Sequence, residues 1–243
     1  ADPKWRYHWR IGPRPIESEF KQLNAEPVKP AAFPQWAEVL DGWGEALLAA
    51  TATVAEMLAV GLDLPPDTFT TSMRNGPHLL APTGIDLNEY DKLGTVIAGF
   101  HTDLNLLTIH GRSRFPGLFA WTRDGVKIPV KVPEGCLLLQ AGCQLEHLTG
   151  GYIRAGYHEV CVSERTLEAA RAARANGGSS WRVSSTMFVH CCSDSVLEPL
   201  SGLQAHWRAD AVNKYPAIKA GTQVKEVLEK INAAVAAAAA SSE

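Results

Sequence analysis

Between Gly94 and Val160 the chain reads as short apolar runs broken by glycine and proline: Thr95–Ala98, Leu104–Ile109, Gly117–Trp121, Lys127–Val132 and Cys136–Gln140. Runs of this length at short, regular spacing predict antiparallel strands of a barrel or jelly roll. Arg123-Asp124-Gly125 lies between two of them and predicts a hairpin turn, with glycine where a positive φ is cheap. From Phe33 to Leu62 the period changes. Leu40, Trp43, Leu47, Leu48, Val54, Met57 and Leu58 recur at intervals of three and four, with Pro34 near the start and Gly61 near the end. That spacing predicts a helix bracing the outer face of a sheet. Asp63–Asp67, with Pro65-Pro66, reads as a linker. Thr166–Arg174 is a run of helix formers closed by Asn176-Gly177-Gly178, read as a surface insertion between two core strands. Val224–Ile231 predicts a short amphipathic helix, and the alanine-rich run from Ala233 to Glu243 is expected to fray. There is no internal repeat.

Composition narrows the function classes. A net charge of −3 over 243 residues gives no electrostatic reason to expect nucleic acid or an acidic membrane as partner. Trp5-Arg6-Tyr7-His8-Trp9-Arg10 is basic and aromatic, and is read as a strand or loop packing its rings on the body rather than as a nucleic-acid platform. No uninterrupted apolar run approaches the roughly 20 residues of a membrane span, and the start, Ala1-Asp2-Pro3-Lys4, has no signal-peptide pattern. The five cysteines (Cys136, Cys143, Cys161, Cys191, Cys192) are an odd number without a Cys-x-x-Cys pair. They are expected to be mostly buried thiols of a reducing, cytoplasmic compartment, the vicinal Cys191-Cys192 included.

His101-Thr102-Asp103 and the later His158 carry the chemistry. Two imidazoles and a carboxylate on one side of a metal leave its other side open, the ligand set of non-heme iron(II) oxygenases. On an extended strand, residues i and i+2 point to the same side, so His101 and Asp103 could reach one ion. The 54 residues between Asp103 and His158 allow several strands to run out and back before the third ligand arrives. His110 and His190 sit at expected strand ends and read as structural or solvent-facing more readily than as substrate contacts. His147 lies in what reads as a strand end; His8, His78 and His206 have no motif.

Around these residues a longer pattern emerges. His101–Thr108, Pro116-Gly117-Leu118, Val132-Pro133-Glu134-Gly135, Leu145–Tyr152, His158-Glu159-Val160 and Arg182–Phe188 resemble, in order, the motifs of iron(II)/2-oxoglutarate-dependent dioxygenases of the isopenicillin-N-synthase-like branch. Glu198-Pro199-Leu200 and Tyr215–Gly221 resemble that family's C-terminal end. The likeness is strong from Gly94 to Leu200 and weaker, in register, from Trp5 to Leu62 and from Tyr215 to Ile231. Departures are Glu159, where the family usually has arginine, and His78–Pro82, where a tyrosine that often contacts the co-substrate is missing.

The resemblance implies a single domain over residues 1–243, mainly β with flanking helices, folded as a distorted double-stranded β-helix (jelly roll). Residues 1–88 would be a helical N-terminal part without the family's front portion, 89–200 the jelly-roll core, and 201–243 a C-terminal helix and alanine-rich tail. It further implies that His101, Asp103 and His158 hold Fe(II), and that Arg182 and Ser184 bind 2-oxoglutarate. An arginine fork suits the far carboxylate of a dicarboxylate better than lysine does. The expected activity is oxidation by O2 of a C–H bond in a small organic substrate, with release of succinate and CO2. Two alternatives stay open: a catalytically inactive dioxygenase fold serving as a structural or interaction protein, and an iron oxidase that uses no 2-oxoglutarate. No nucleic-acid or membrane partner is expected.

Overall fold

A computed structural model describes residues 2–240, with side chains described through residue 233. In chain order the elements are β1 (Trp5–Arg6), β2 (Trp9–Ile11), α1 (Trp36–Gly61), α2 (Thr68–Met73), β3 (His78–Asp86), β4 (Val96–His101), β5 (Leu107–His110), β6 (Leu118–Trp121) and β7 (Lys127–Pro129). They continue as β8 (Leu138–Ala141), α3 (Cys143–Leu148), β9 (His158–Cys161), α4 (Glu164–Ala175), β10 (Trp181–Val189), β11 (Val196–Leu197), α5 (Ala211–Lys214), β12 (Ile218–Lys219) and α6 (Ala220–Ala240). Residues 241–243, the end of the expected alanine-rich tail, lie outside the described residues, as do the side chains of 234–240.

Two antiparallel sheets form the body. The larger has the order β1-β3-β10-β5-β8, with β2 also on β3; the smaller has the order β4-β9-β6-β7. From β3 to β10 the chain passes back and forth between them, which is the winding of a jelly roll. Alternation along β10 sets the two faces of the large sheet. Arg182, Ser184, Thr186 and Phe188 look into the space between the sheets, while Met187 and Val189 join the core beneath α1. There Leu47, Ala55 and Ala59 of α1 pack with Leu80, Ile109 and Met187, each at 1% exposure or less. Fully burying one such leucine or isoleucine is worth about 1.5–3 kcal/mol.

Several expectations are corrected. Residues 1–88 supply α1 and α2 but also three strands of the large sheet, one of them, β3, paired along most of its length with β10. Gly61 is still helical, and Asp63 takes the left-handed conformation (φ 56°) that turns the chain out of α1. By length and composition alone α1 is apolar enough to cross a membrane, contrary to the reading of its sequence, yet one face of it is part of the core. The α4 segment is not merely superficial. Ser163 and Thr166 form a capping box at its start, and Ala170 packs in a second core with Ile85, Ile97, Phe115 and Val162. Of the five free cysteines only Cys191 is buried; Cys136 is exposed and the others are half-buried.

Candidate metal and co-substrate site

The small sheet brings the two histidines together. His101 ends β4 and His158 begins β9, and they are direct partners in the antiparallel ladder, with ring centroids 4.3 Å apart. Each ring is fixed from behind by a backbone carbonyl: His101 Nδ1 to Gly99 O at 2.6 Å, and His158 Nδ1 to Gly156 O at 3.1 Å. With Nδ1 as the N–H in each ring, Nε2 keeps its lone pair and points to the shared space.

Asp103 completes the cluster, but not as strand geometry predicts. Strand β4 stops at His101, so Asp103 stands in the following loop. Three backbone bonds dock that loop on the start of α3: Cys143 N to Asp103 O (2.8 Å), Gly142 N to Leu106 O (3.0 Å) and Gln144 N to Asn105 O (3.1 Å). A Cβ on Gly142 would lie 2.0 Å from Asn105 O, so only glycine permits this approach. Glu146-His147-Leu148, expected at a strand end, belongs instead to α3, whose N-terminal N–H groups hold the aspartate loop.

The carboxylate is also oriented. Thr108 Oγ1 donates to Asp103 Oδ2 at 2.7 Å, and Asn105 Nδ2 donates to Thr108 Oγ1 at 3.1 Å. Oδ1 is left facing the imidazoles, 3.6 Å from His101 Nε2 and 3.8 Å from His158 Nε2. The three donor atoms all lie within 4.8 Å of one another. Sequence reasoning overlooked Asn105 and Thr108. Their signal was visible as polar residues inside an apolar strand run, where an unpartnered amide or hydroxyl would be costly.

The electrostatics fit a cation. Burial pushes the Asp103 carboxyl upward, but the neighbouring His101, the nearby His158 and the Thr108 hydroxyl outweigh it and hold the group below its usual range. Burial likewise pulls His101 down, and the Asp103 contact and Gly99 carbonyl more than reverse it. His158 stays depressed, mainly by burial. The set offers two neutral imidazole nitrogens and one carboxylate oxygen, the donors iron(II) takes.

On the large sheet, Arg182 is 6% exposed, and no residue hydrogen-bonds it among those described; its Nε is buried without a partner. Burial alone lowers it to about 10, so it stays charged at neutral pH. An unpaired buried guanidinium is costly. Its position beside Ser184 in a cavity of about 790 Å³ that also contains His101, Asp103 and His158 suits an anionic ligand. His110 lines the same cavity, paired across the ladder with Thr186. His190, read as structural or solvent-facing, is buried, and its backbone N–H donates to His78 Nδ1 at 3.1 Å. His147 is buried against Tyr215 with ring centroids 5.5 Å apart, away from the cluster. Glu159, standing where the family usually has arginine, pairs outside the site with Lys127.

Known proteins resemble this chain in sequence and in fold. Residues 87–190 match the model of the 2OG-Fe(II) oxygenase superfamily. Over 80 residues the chain is 40% identical to proteins of Arabidopsis thaliana named "2-oxoglutarate-dependent dioxygenase AOP2" and "Probable inactive 2-oxoglutarate-dependent dioxygenase AOP2". The matched stretch is 33% of this chain and 18–19% of those relatives. In structure the chain resembles a protein of the 2OG-Fe(II) oxygenase family from Caulobacter crescentus, with TM-score 0.75 and 25% identity over 94% of this chain and 70% of that one. It also resembles a full-length Neurospora crassa protein crystallised in complex with alpha-KG, with TM-score 0.73 and 18% identity over 94% of this chain and 66% of that one. The iron-type donor set, the jelly roll and the match agree: over residues 87–190 this chain is similar to the 2OG-Fe(II) oxygenase superfamily.

Proposed function

We propose that the protein is a non-heme iron(II)- and 2-oxoglutarate-dependent oxygenase that oxidises a C–H bond of a small organic substrate, releasing succinate and CO2. The observation that carries this reading is the pairing, in one cavity, of three pre-aimed metal donors with a buried arginine that has no hydrogen-bond partner among the described residues. His101, Asp103 and His158 would hold the iron, and Arg182 with Ser184 would take the far carboxylate of 2-oxoglutarate. Bound there, iron, 2-oxoglutarate and O2 supply the oxidising power; the protein supplies orientation and a water-poor pocket. Thr108 and Asn105 keep Oδ2 of Asp103 occupied so that Oδ1 is the ligand, and the Gly99 and Gly156 carbonyls fix the imidazole tautomers. The Neurospora protein has been crystallised with thymine, and a small molecule is the substrate class the cavity here would admit. Five free thiols support a reducing, cytoplasmic setting.

The relative named as inactive and the tyrosine missing from the His78–Pro82 run keep two other readings in view. Anaerobic iron(II) titration with and without 2-oxoglutarate separates them through the weak visible charge-transfer band of the chelate. Growth of the band on adding 2-oxoglutarate is the expected result. Iron uptake without the band would favour an oxidase that uses no 2-oxoglutarate, and no iron uptake would favour a structural role.

A further inference from the structure

A second guanidinium in the cavity has no role in the reading above. Arg6 lies on β1, whose ladder partner on β3 is Thr83, itself the partner of Ser184 on β10. Arg6, Thr83 and Ser184 thus form one row across three strands on the cavity face. Arg6 Nε donates to Thr83 Oγ1 at 3.1 Å, and that hydroxyl donates in turn to Ala81 O at 3.1 Å. The guanidinium leans from that row toward Phe188, its carbon 5.8 Å from the ring centroid. Among the described residues no carboxylate forms an ion pair with Arg6, although Lys4 beside it on the cavity wall is paired with Asp2. Its two terminal amino groups are therefore held in place and unclaimed, the geometry with which arginine receives a carboxylate end-on.

The charge balance of the cavity points the same way. Seven lining residues are lysine or arginine and three are aspartate or glutamate, in a chain whose net charge is −3. Iron(II), Asp103, doubly charged 2-oxoglutarate and Arg182 sum to zero, so a loaded centre would leave Arg6 uncompensated. The two arginines are also offset along β10, since Arg182 stands two residues before the row of Arg6 and Phe188 four residues after it. Phe188 is the ladder partner of Thr108, which bonds the metal-binding Asp103, whereas Arg182 is at the opposite end of β10. Burial is the main influence on Arg6 and lowers it, while the charge of Asp103 partly offsets this. No such carboxylate acts on Arg182.

We propose that Arg6, seated on Thr83 and Phe188, is the receptor for a carboxylate on the substrate, so that the small molecule oxidised here is an organic acid held between Arg6 and the metal. The proposal rests on the oxygenase reading of the cavity and adds the chemical class of its substrate. Lys4 and the apolar Ile97 and Leu118 would complete a site for an acid with a hydrocarbon body.

Phenylacetate and phenylacetamide test it, because they share shape and differ in charge. Each is titrated calorimetrically into anaerobic protein loaded with iron(II) and 2-oxoglutarate, with the chelate band followed in parallel. The acid is expected to bind at least about tenfold tighter than the amide, the worth of one charge-assisted pair near 1.4 kcal/mol. Arg6→Gln should remove that preference while the chelate band persists, and Arg6→Lys should restore it in part. Equal affinity for acid and amide, binding of neither, or a preference that survives in Arg6→Gln overturns the proposal. Absence of the chelate band overturns the oxygenase reading instead, and the comparison of Arg6→Gln with the parent protein still reads the anion site.

Discussion

The two halves of the cavity are prepared in opposite ways. On the small-sheet side every metal donor is secured from behind: two imidazoles by carbonyls and one carboxylate by a threonine that an asparagine positions. On the large-sheet side Arg182 is buried, with no hydrogen-bond partner for its side chain among the described residues. The first arrangement fixes the direction of each donor through protein contacts. The second holds a charge in an unfavourable setting that an incoming carboxylate relieves. A metal centre needs directions set within fractions of an ångström, whereas an anion site needs an uncompensated charge that a ligand can neutralise.

The contrast can be broken most severely at the metal. Asp103→Ala should abolish iron-dependent succinate release and leave the circular dichroism spectrum unchanged, because it removes a metal ligand that is not part of the hydrophobic core. Retained turnover would refute the ligand assignment. At the other end, Arg182→Lys should weaken 2-oxoglutarate binding by about tenfold to a hundredfold, since a point charge does not reproduce the fork. Arg182→Met sharpens the comparison: it should abolish co-substrate binding yet raise the melting temperature of the ligand-free protein, because it deletes an unpaired buried charge. A lower melting temperature would mean that Arg182 has a structural partner after all.

A third test uses the buried His78–His190 pair outside the cavity. Burial is the main reason that His78 falls to about 3 and His190 to about 4. Below the unfolded value near 6.5 the unfolded chain takes up protons that the folded chain refuses, so stability rises with pH between about 4 and 6.5. The urea midpoint should therefore drop between pH 7 and pH 5, by a free energy of up to a few kcal/mol. A midpoint constant over that interval would exclude the effect. The smallest change is expected from Thr108→Val, which frees Asp103 Oδ2 and should lower iron affinity by about tenfold, the low end of what outer-shell partners contribute. Unchanged affinity would show that the docked loop orients the aspartate without help from the hydroxyl.

Much of this was legible in the chain. Apolar runs punctuated by glycine and proline are enough to specify strands, and the three-and-four spacing of Leu40, Trp43 and Leu47 specifies α1, because these periods are local properties of the backbone. His101, Asp103 and His158 were legible for the same reason: ligand chemistry restricts residue types. Local pattern misled where long-range partners decide. Cys143–Leu148 is helical because its N–H groups serve the Asp103 loop, and His78–Asp86 is a strand because β10 lies beside it along most of its length.

The amino-acid sequence by itself determined which elements form and which side chains are able to hold a metal and an anion, since both follow from periodicity and side-chain chemistry. Only the tertiary structure decided that Thr108 and Asn105 aim the carboxylate, that Arg182 lies buried without a partner among the described residues and that Arg6 reaches the cavity from the first strand. The physical reason is that orientation, burial and charge balance depend on groups far apart in the chain, and come into being only when strands distant in sequence pair.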